Sequence, residues 1–224
     1  MTVVIFDLDG TLIDSAPDIH AASNRVLLEE GFAPLTMAQV RSFIGKGVPH
    51  LVGQLLQASG EDPAGPRLAP MIARFAEGYE TAVGLTVPYP GVVAALAALR
   101  AQGMPLGVCT NKPLAPAKAV LQHLGLLASF DAVLGGDSLP QRKPDPAPLF
   151  ATLAALGGGP VVYVGDSEID AQTAAAAGMP FALYTEGYRK TPVADLPHDV
   201  AFSDFAELPG IVARLAASAG ARQA

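Results

Sequence analysis

Val3-Val4-Ile5-Phe6-Asp7-Leu8-Asp9-Gly10-Thr11-Leu12-Ile13-Asp14-Ser15 opens with an unbroken apolar run and then sets two acids either side of a leucine. A short run without polar alternation reads as a strand buried on both faces, the kind found in parallel sheets covered by helices. Its ending is the unusual part. One unpaired buried carboxylate is costly, and two neighbours also repel each other. A divalent cation between Asp7 and Asp9 would keep both ionised. Taken alone, Asp-x-Asp-Gly reads more simply as a strand end with an Asx turn, because Asp-Gly is a common turn pair. The rest of the chain decides between these readings.

Downstream of Ser15 the pattern turns helical. Ile19, Ala22, Val26 and Leu27 repeat at helical spacing within 17–30, which Gly31 stops. Further helices are expected over 36–43, 48–58 and 63–81, with Gly45-Lys46-Gly47 as a break. No convincing strand interrupts this block. Leu85-Thr86-Val87-Pro88-Tyr89-Pro90-Gly91 reads as a stiff linker or strand-like return. From there helices (92–102, 115–124, 146–156, 169–177, 205–216) alternate with apolar runs at 106–109, 132–134, 161–164, 181–184 and 200–202. The expected fold is α/β: a doubly wound parallel-sheet, Rossmann-like core made of 1–14 and 84–224, with a helical cap domain inserted at 15–83. The tail after Ala217 is expected to fray.

At 224 residues, with 50% hydrophobic and 16% charged residues, the chain can bury a substantial core. A net charge of −7 argues against nucleic acid and anionic membrane surfaces as partners. The single cysteine, Cys109, allows no internal disulfide and fits a reducing, cytoplasmic setting. No basic segment precedes the first apolar run, so no signal peptide is expected. The uncharged run 82–99 contains Gly84, Pro88, Pro90 and Gly91, which argues against a membrane span.

In open α/β sheets ligands bind beyond the carboxyl ends of the strands, where strand order reverses. The chain puts Asp7 and Asp9 after the first strand, Thr110-Asn111 after the second and Gly165-Asp166 after the fourth, with Asp170 shortly beyond. Lys143 lies between the third and fourth. The acids suit a hard cation, Mg²⁺ first, while Thr, Asn, Lys and helix-start amides suit a phosphate.

These segments resemble the haloacid dehalogenase superfamily of aspartate-dependent phosphohydrolases. Asp7-Leu8-Asp9-Gly10-Thr11 matches its first motif, Thr110 the second, Lys143 the third and Gly165-Asp166-Ser167-Glu168-Ile169-Asp170 the fourth, in order and over nearly the whole chain. The resemblance implies that Asp7 is the nucleophile forming an aspartyl-phosphate, and Asp9 the general acid and then base. It implies Mg²⁺ held by Asp7, the Asp9 carbonyl and Asp166, with Asp170 in support. Thr110 and Lys143 would hold the transferring oxygens. Dehalogenases lack an acid at the position of Asp9, so its presence points to phosphoryl transfer.

Within the superfamily, Thr110-Asn111-Lys112-Pro113, the run from Lys143 to Leu149, and Gly187-Tyr188 resemble the phosphoglycolate phosphatases. Arg41-Ser42-Phe43-Ile44-Gly45-Lys46-Gly47 resembles the loop that closes over substrate in that group. The substrate-binding set expected is Gly10, Arg41, Gly45, Lys46, Thr110, Asn111 and Lys143, acting on a small phosphorylated substrate. For Gly45-Lys46-Gly47 a helix break with a solvated lysine is an equal alternative, and Lys112 reads as a solvated surface residue. Other substrates (a sugar phosphate, pyrophosphate, a nucleotide), a phosphosugar mutase and a non-catalytic phosphate-binding protein remain open. His20, His50, His123 and His198 have no ligand spacing and read as structural or surface residues, Cys109 as core. Asp14 and Ser15 read as a helix cap or hinge lining.

Overall fold

The computed structural model describes residues 1–221. Strand β1 (Val3–Phe6) is buried at every position. After a two-residue strand, β2 (Ile13–Asp14), the chain enters helices α1 (Ala16–Glu29), α2 (Met37–Arg41), α3 (Val48–Ala58) and α4 (Leu68–Tyr79). It returns through β3 (Val87–Pro88), which pairs antiparallel with β2, Ile13 opposite Pro88 and Asp14 opposite Val87. Both crossings between the helical block and the sheet therefore lie side by side. Asp18, in the first turn of α1, fastens the return by accepting from Leu85 N, Thr86 N and Thr86 Oγ1.

The remaining elements alternate: α5 (Val92–Ala101), β4 (Leu106–Cys109), α6 (Leu114–His123), β5 (Ala132–Leu134), α7 (Ala147–Ala155), β6 (Val161–Gly165), α8 (Glu168–Ala177), β7 (Phe181–Tyr184), β8 (Val200–Phe202) and α9 (Leu208–Ala221). The strands form one sheet in the order β5-β4-β1-β6-β7-β8, every neighbouring pair parallel. The chain builds outward from β1 on one side, then crosses β1 to build the other. Strand order thus reverses at β1, whose Phe6 lies opposite both Val108 and Val164.

Side chains alternate across the sheet as the pleat requires. Val4 and Phe6 join an apolar cluster with α5 and α9, whereas Val3 and Ile5 join one with α7 and α8. The four helices of the inserted block share a third cluster around Val26, Leu55 and Phe75.

Three helices differ from expectation by more than one residue. α4 starts at Leu68 rather than Pro63, because Asp62 turns the chain by accepting from Ala64 N at 2.9 Å. α2 ends at Arg41 after opening on a Thr36–Gln39 capping box. The last helix is preceded by a 3-10 turn at Phe205–Glu207, which Asp204 caps, and it continues to Ala221 instead of fraying after Ala217. The rest of that tail lies outside the described residues. Among the described residues no helix is long and apolar enough to cross a membrane.

Candidate active site

The loops after β1, β4 and β6 converge because their strands are adjacent and parallel. Asp7 continues β1 by one hydrogen bond, its N–H donating to Val164 O at 2.9 Å. The loop then turns back at Gly10, whose φ of +90° suits glycine, and a Cβ there would sit 2.6 Å from Asp166 Oδ2. The Gly10 N–H donates to Ile13 O. That N–H is committed within the loop, and the glycine brings the loop against Asp166.

Asp166 follows β6 and accepts from Thr11 Oγ1 at 2.7 Å and from Tyr188 N at 2.6 Å. Asp170 lies one turn into α8, in a capping box with Ser167. It accepts from Lys143 Nζ at 2.7 Å, Tyr163 OH at 2.6 Å and Ser167 Oγ at 2.6 Å. Lys143 in turn reaches Asp7 Oδ1 at 2.8 Å and Tyr163 OH at 2.9 Å. Its backbone is held by Asn111, which accepts from Lys143 N and donates to Lys143 O, both at 3.0 Å. Asn111 also donates to Gly45 O at 3.0 Å. Its side chain therefore positions Lys143 and the helical block, and is committed before any ligand enters.

Oxygens of Asp7, Asp166 and Asp170 lie within 4.8 Å of one another. Burial, then repulsion from Asp170, pushes the Asp7 carboxyl up to about 7 despite Lys143. Burial, then Asp170 and Asp7, holds Asp166 well above the usual carboxylate range. Burial would raise Asp170 too, but Lys143, Ser167 and Tyr163 bring it below that range. Asp7 and Asp166 thus carry the unmet charge, and a cation between them reverses the shift. Asp7 Oδ1 is buried without a directed hydrogen-bond donor among the described residues, the ion pair with Lys143 aside. Four carboxylates here, counting Asp9, face two ammonium groups, an excess that a divalent cation cancels. The oxygen-only donor set fits Mg²⁺.

Asp9 points the other way, toward the helical block. It accepts from Ser15 Oγ at 2.5 Å and Lys112 Nζ at 3.1 Å. Lys112 is not the solvated residue expected: it is 7% exposed. Tyr79 from α4 covers it, its hydroxyl bonded to Nζ and its ring centroid 4.4 Å away. Burial opposes the charge on Lys112, but Asp9 and Tyr79 outweigh it and raise the ammonium's pKa.

A cleft opens here, lined by Asp7, Asp9, Thr110, Asn111 and Lys112 on the sheet side and by Gly45 and Gly47 on the other. Arg41 and Lys46, expected in this set, are exposed and do not line it. Arg41 instead donates to Gly187 O at 3.0 Å and lies over the Tyr188 ring at 4.9 Å. Cys109 is buried in β4, and burial pushes its thiol up to about 11. His20 and His198 bond backbone carbonyls of Leu35 and Leu196.

Tyr79, Lys112, Tyr163, Thr11 and Ser15 join the site without having been assigned to it. Tyr163 had a signal, a phenol inside an apolar strand, which needs a buried partner. Lys112, two residues past Thr110 at a strand's carboxyl end, was also on the right edge. Tyr79 had none, since only packing brings α4 over the sheet.

The chain belongs to the haloacid dehalogenase-like hydrolases, which its residues 4–184 match. It is 56% identical over 218 residues to a phosphoglycolate phosphatase of Cereibacter sphaeroides (strain ATCC 17029 / ATH 2.4.9), covering 97% of this chain and 100% of that one. A phosphoglycolate phosphatase of Rhodospirillum rubrum is 46% identical over 213 residues, with 92% and 88% covered. The crystal structure of a predicted phosphoglycolate phosphatase from Haemophilus somnus superimposes with a TM-score of 0.88 at 32% identity, covering 94% of this chain and 97% of that one.

Proposed function

We propose that this chain is a Mg²⁺-dependent phosphomonoesterase that hydrolyses 2-phosphoglycolate to glycolate and phosphate through an aspartyl-phosphate on Asp7. The observation that carries the reading is Asp7 itself. It is a buried carboxylate set between the Lys143 ammonium and Asp166, with a second acid, Asp9, opening into the same cleft. The names and near-complete coverage of the relatives support the substrate.

Asp7, the Asp9 carbonyl and Asp166 would hold Mg²⁺, with Asp170 orienting Lys143 rather than ligating. Bound there, the ion offsets the negative charge that otherwise keeps a phosphate dianion away from a carboxylate. Asp7 attacks phosphorus, and Asp9 gives a proton to the departing alkoxide. Asp9 then takes one from the water that cleaves the acyl phosphate. Lys143 and the Thr110 hydroxyl stabilise charge on the phosphoryl oxygens. Thr110 Oγ1 accepts from Lys112 N at 3.2 Å, which leaves its own proton for that oxygen. Residues 15–83 serve as a cap that opens for substrate and closes to exclude water from the core of 1–14 and 84–224, a division that the separate apolar cluster around Phe75 supports. A buried thiol as the single cysteine favours a reducing cytoplasm.

The test is phosphate release from 2-phosphoglycolate, hexose phosphates, pyrophosphate and a nucleoside monophosphate, with Mg²⁺ and with EDTA. The reading expects 2-phosphoglycolate to lead clearly and EDTA to abolish release. Metal-dependent release led by another ester would overturn the substrate and leave the chemistry.

A further inference from the structure

Opposite Asp9 the cleft wall is apolar, formed by Ile19, Ile44, Val48 and Leu51, and Lys112 is the cation on its lining. Lys143, the other buried ammonium, is committed to Asp7, Asp170 and Tyr163. A buried lysine at a boundary between two packing units needs a reason, because desolvating an ammonium is expensive. The structure provides two partners, Asp9 from the core and Tyr79 from α4.

We propose that Lys112, together with the Tyr79 hydroxyl, receives the carboxylate of the substrate and so selects a carboxylated phosphate ester; this rests on 2-phosphoglycolate being the substrate. The geometry follows from the role of Asp9. Its carboxyl must reach the ester oxygen in order to protonate it. In 2-phosphoglycolate the carboxylate sits on the one methylene that this oxygen carries. Any group touching Asp9 from the cleft side is therefore where that carboxylate falls, and Lys112 Nζ touches Asp9 at 3.1 Å.

The selection has an attractive and a repulsive part. A substrate carboxylate shares or takes over the ammonium from Asp9 in a charge-assisted contact shielded from water. A sugar's hydroxyls would instead meet Ile44, Val48 and Leu51, which offer them no side-chain hydrogen bond. Because Tyr79 belongs to α4, the carboxylate site is complete only while the helical block lies over the sheet.

The experiment compares kcat/KM for 2-phosphoglycolate and for its neutral isostere, 2-phosphoglycolamide, in the Mg²⁺-loaded full chain. Wild type is expected to prefer the acid, and Lys112→Met to shrink that preference by about 30-fold or more. If Lys112→Met loses the same factor on both esters and keeps the preference, Lys112 serves Asp9 and the proposal is overturned, while the substrate reading stands. A wild-type ratio near one also overturns the proposal, and the ester panel above decides the substrate separately. Should Lys112→Met not fold, Tyr79→Phe decides: a severalfold fall in the acid-to-amide ratio supports the carboxylate site, and an unchanged ratio contradicts it.

Discussion

The backbone N–H of Tyr188 donates to Asp166 Oδ2 at 2.6 Å. The same residue's phenol accepts from Ser15 N at 2.8 Å and Ala16 N at 2.9 Å and donates to Asp14 Oδ1 at 2.7 Å. One residue after β7 therefore joins a proposed metal ligand to the start of α1, where the chain leaves the sheet for the helical block. Gly187 beside it has no room for a side chain, since a Cβ would collide with Asp166.

Tyr188→Phe leaves the Ser15 N–H without its acceptor at a buried helix start, and leaves the Ala16 N–H with only Asp14 Oδ1 at 3.3 Å. The expected loss is about 1–3 kcal/mol of stability. Urea denaturation checks it, with an unchanged m-value as the sign that the fold is kept.

Thr11→Val removes the hydroxyl that donates to Asp166 Oδ1 at 2.7 Å while nearly conserving volume. Groups that orient a metal ligand typically contribute about 10- to 100-fold in affinity. The Mg²⁺ concentration giving half-maximal activity should rise by about tenfold. A shift in kcat with unchanged Mg²⁺ dependence would place Thr11 outside the metal's support.

Asp7 in the metal-free protein has a carboxyl raised from 3.8 to about 7. The folded state then binds more protons than the unfolded one between those values. Its contribution to stability is complete below about 4 and is lost as pH rises through 7. Asp7→Asn removes the titration. In EDTA, the stability of Asp7→Asn relative to wild type should be higher at pH 8 than at pH 4 by about 1–3 kcal/mol. Mg²⁺ should erase that advantage by stabilising wild type. Chemical denaturation at the two pH values reads the difference directly.

Asp9→Asn retains a group able to accept from Ser15 and Lys112 but not to transfer a proton. Turnover should fall by about 10²- to 10⁴-fold. Rapid-quench kinetics should show phosphoenzyme accumulating or the first transfer stalled. Turnover at the wild-type rate would remove Asp9 as acid and base.

The sequence was most legible where local chemistry repeats: apolar runs ending in polar residues located β1, β4 and β6, and with them Asp7, Thr110 and Asp166. It was least legible where contact depends on how the helical block packs. Lys112 reads as a surface lysine until α4 brings Tyr79 over it. Arg41 and Lys46 are expected at the cleft from the resemblance of their loop, with a solvated Lys46 as the equal alternative; Gly45 and Gly47 line the cleft, while Arg41 and Lys46 are exposed and outside its lining. The hinge chemistry of Tyr188 joins positions separated by 174 residues or fewer, and no local pattern encodes it.

In the proposed mechanism Asp7 takes the phosphoryl group before water does. The stereochemistry at phosphorus tests it, using a chiral, oxygen-isotope-labelled phosphorothioate analogue of 2-phosphoglycolate hydrolysed in labelled water. Two successive in-line displacements predict net retention of configuration. Net inversion would mean that water attacks the ester directly, and would contradict the aspartyl-phosphate.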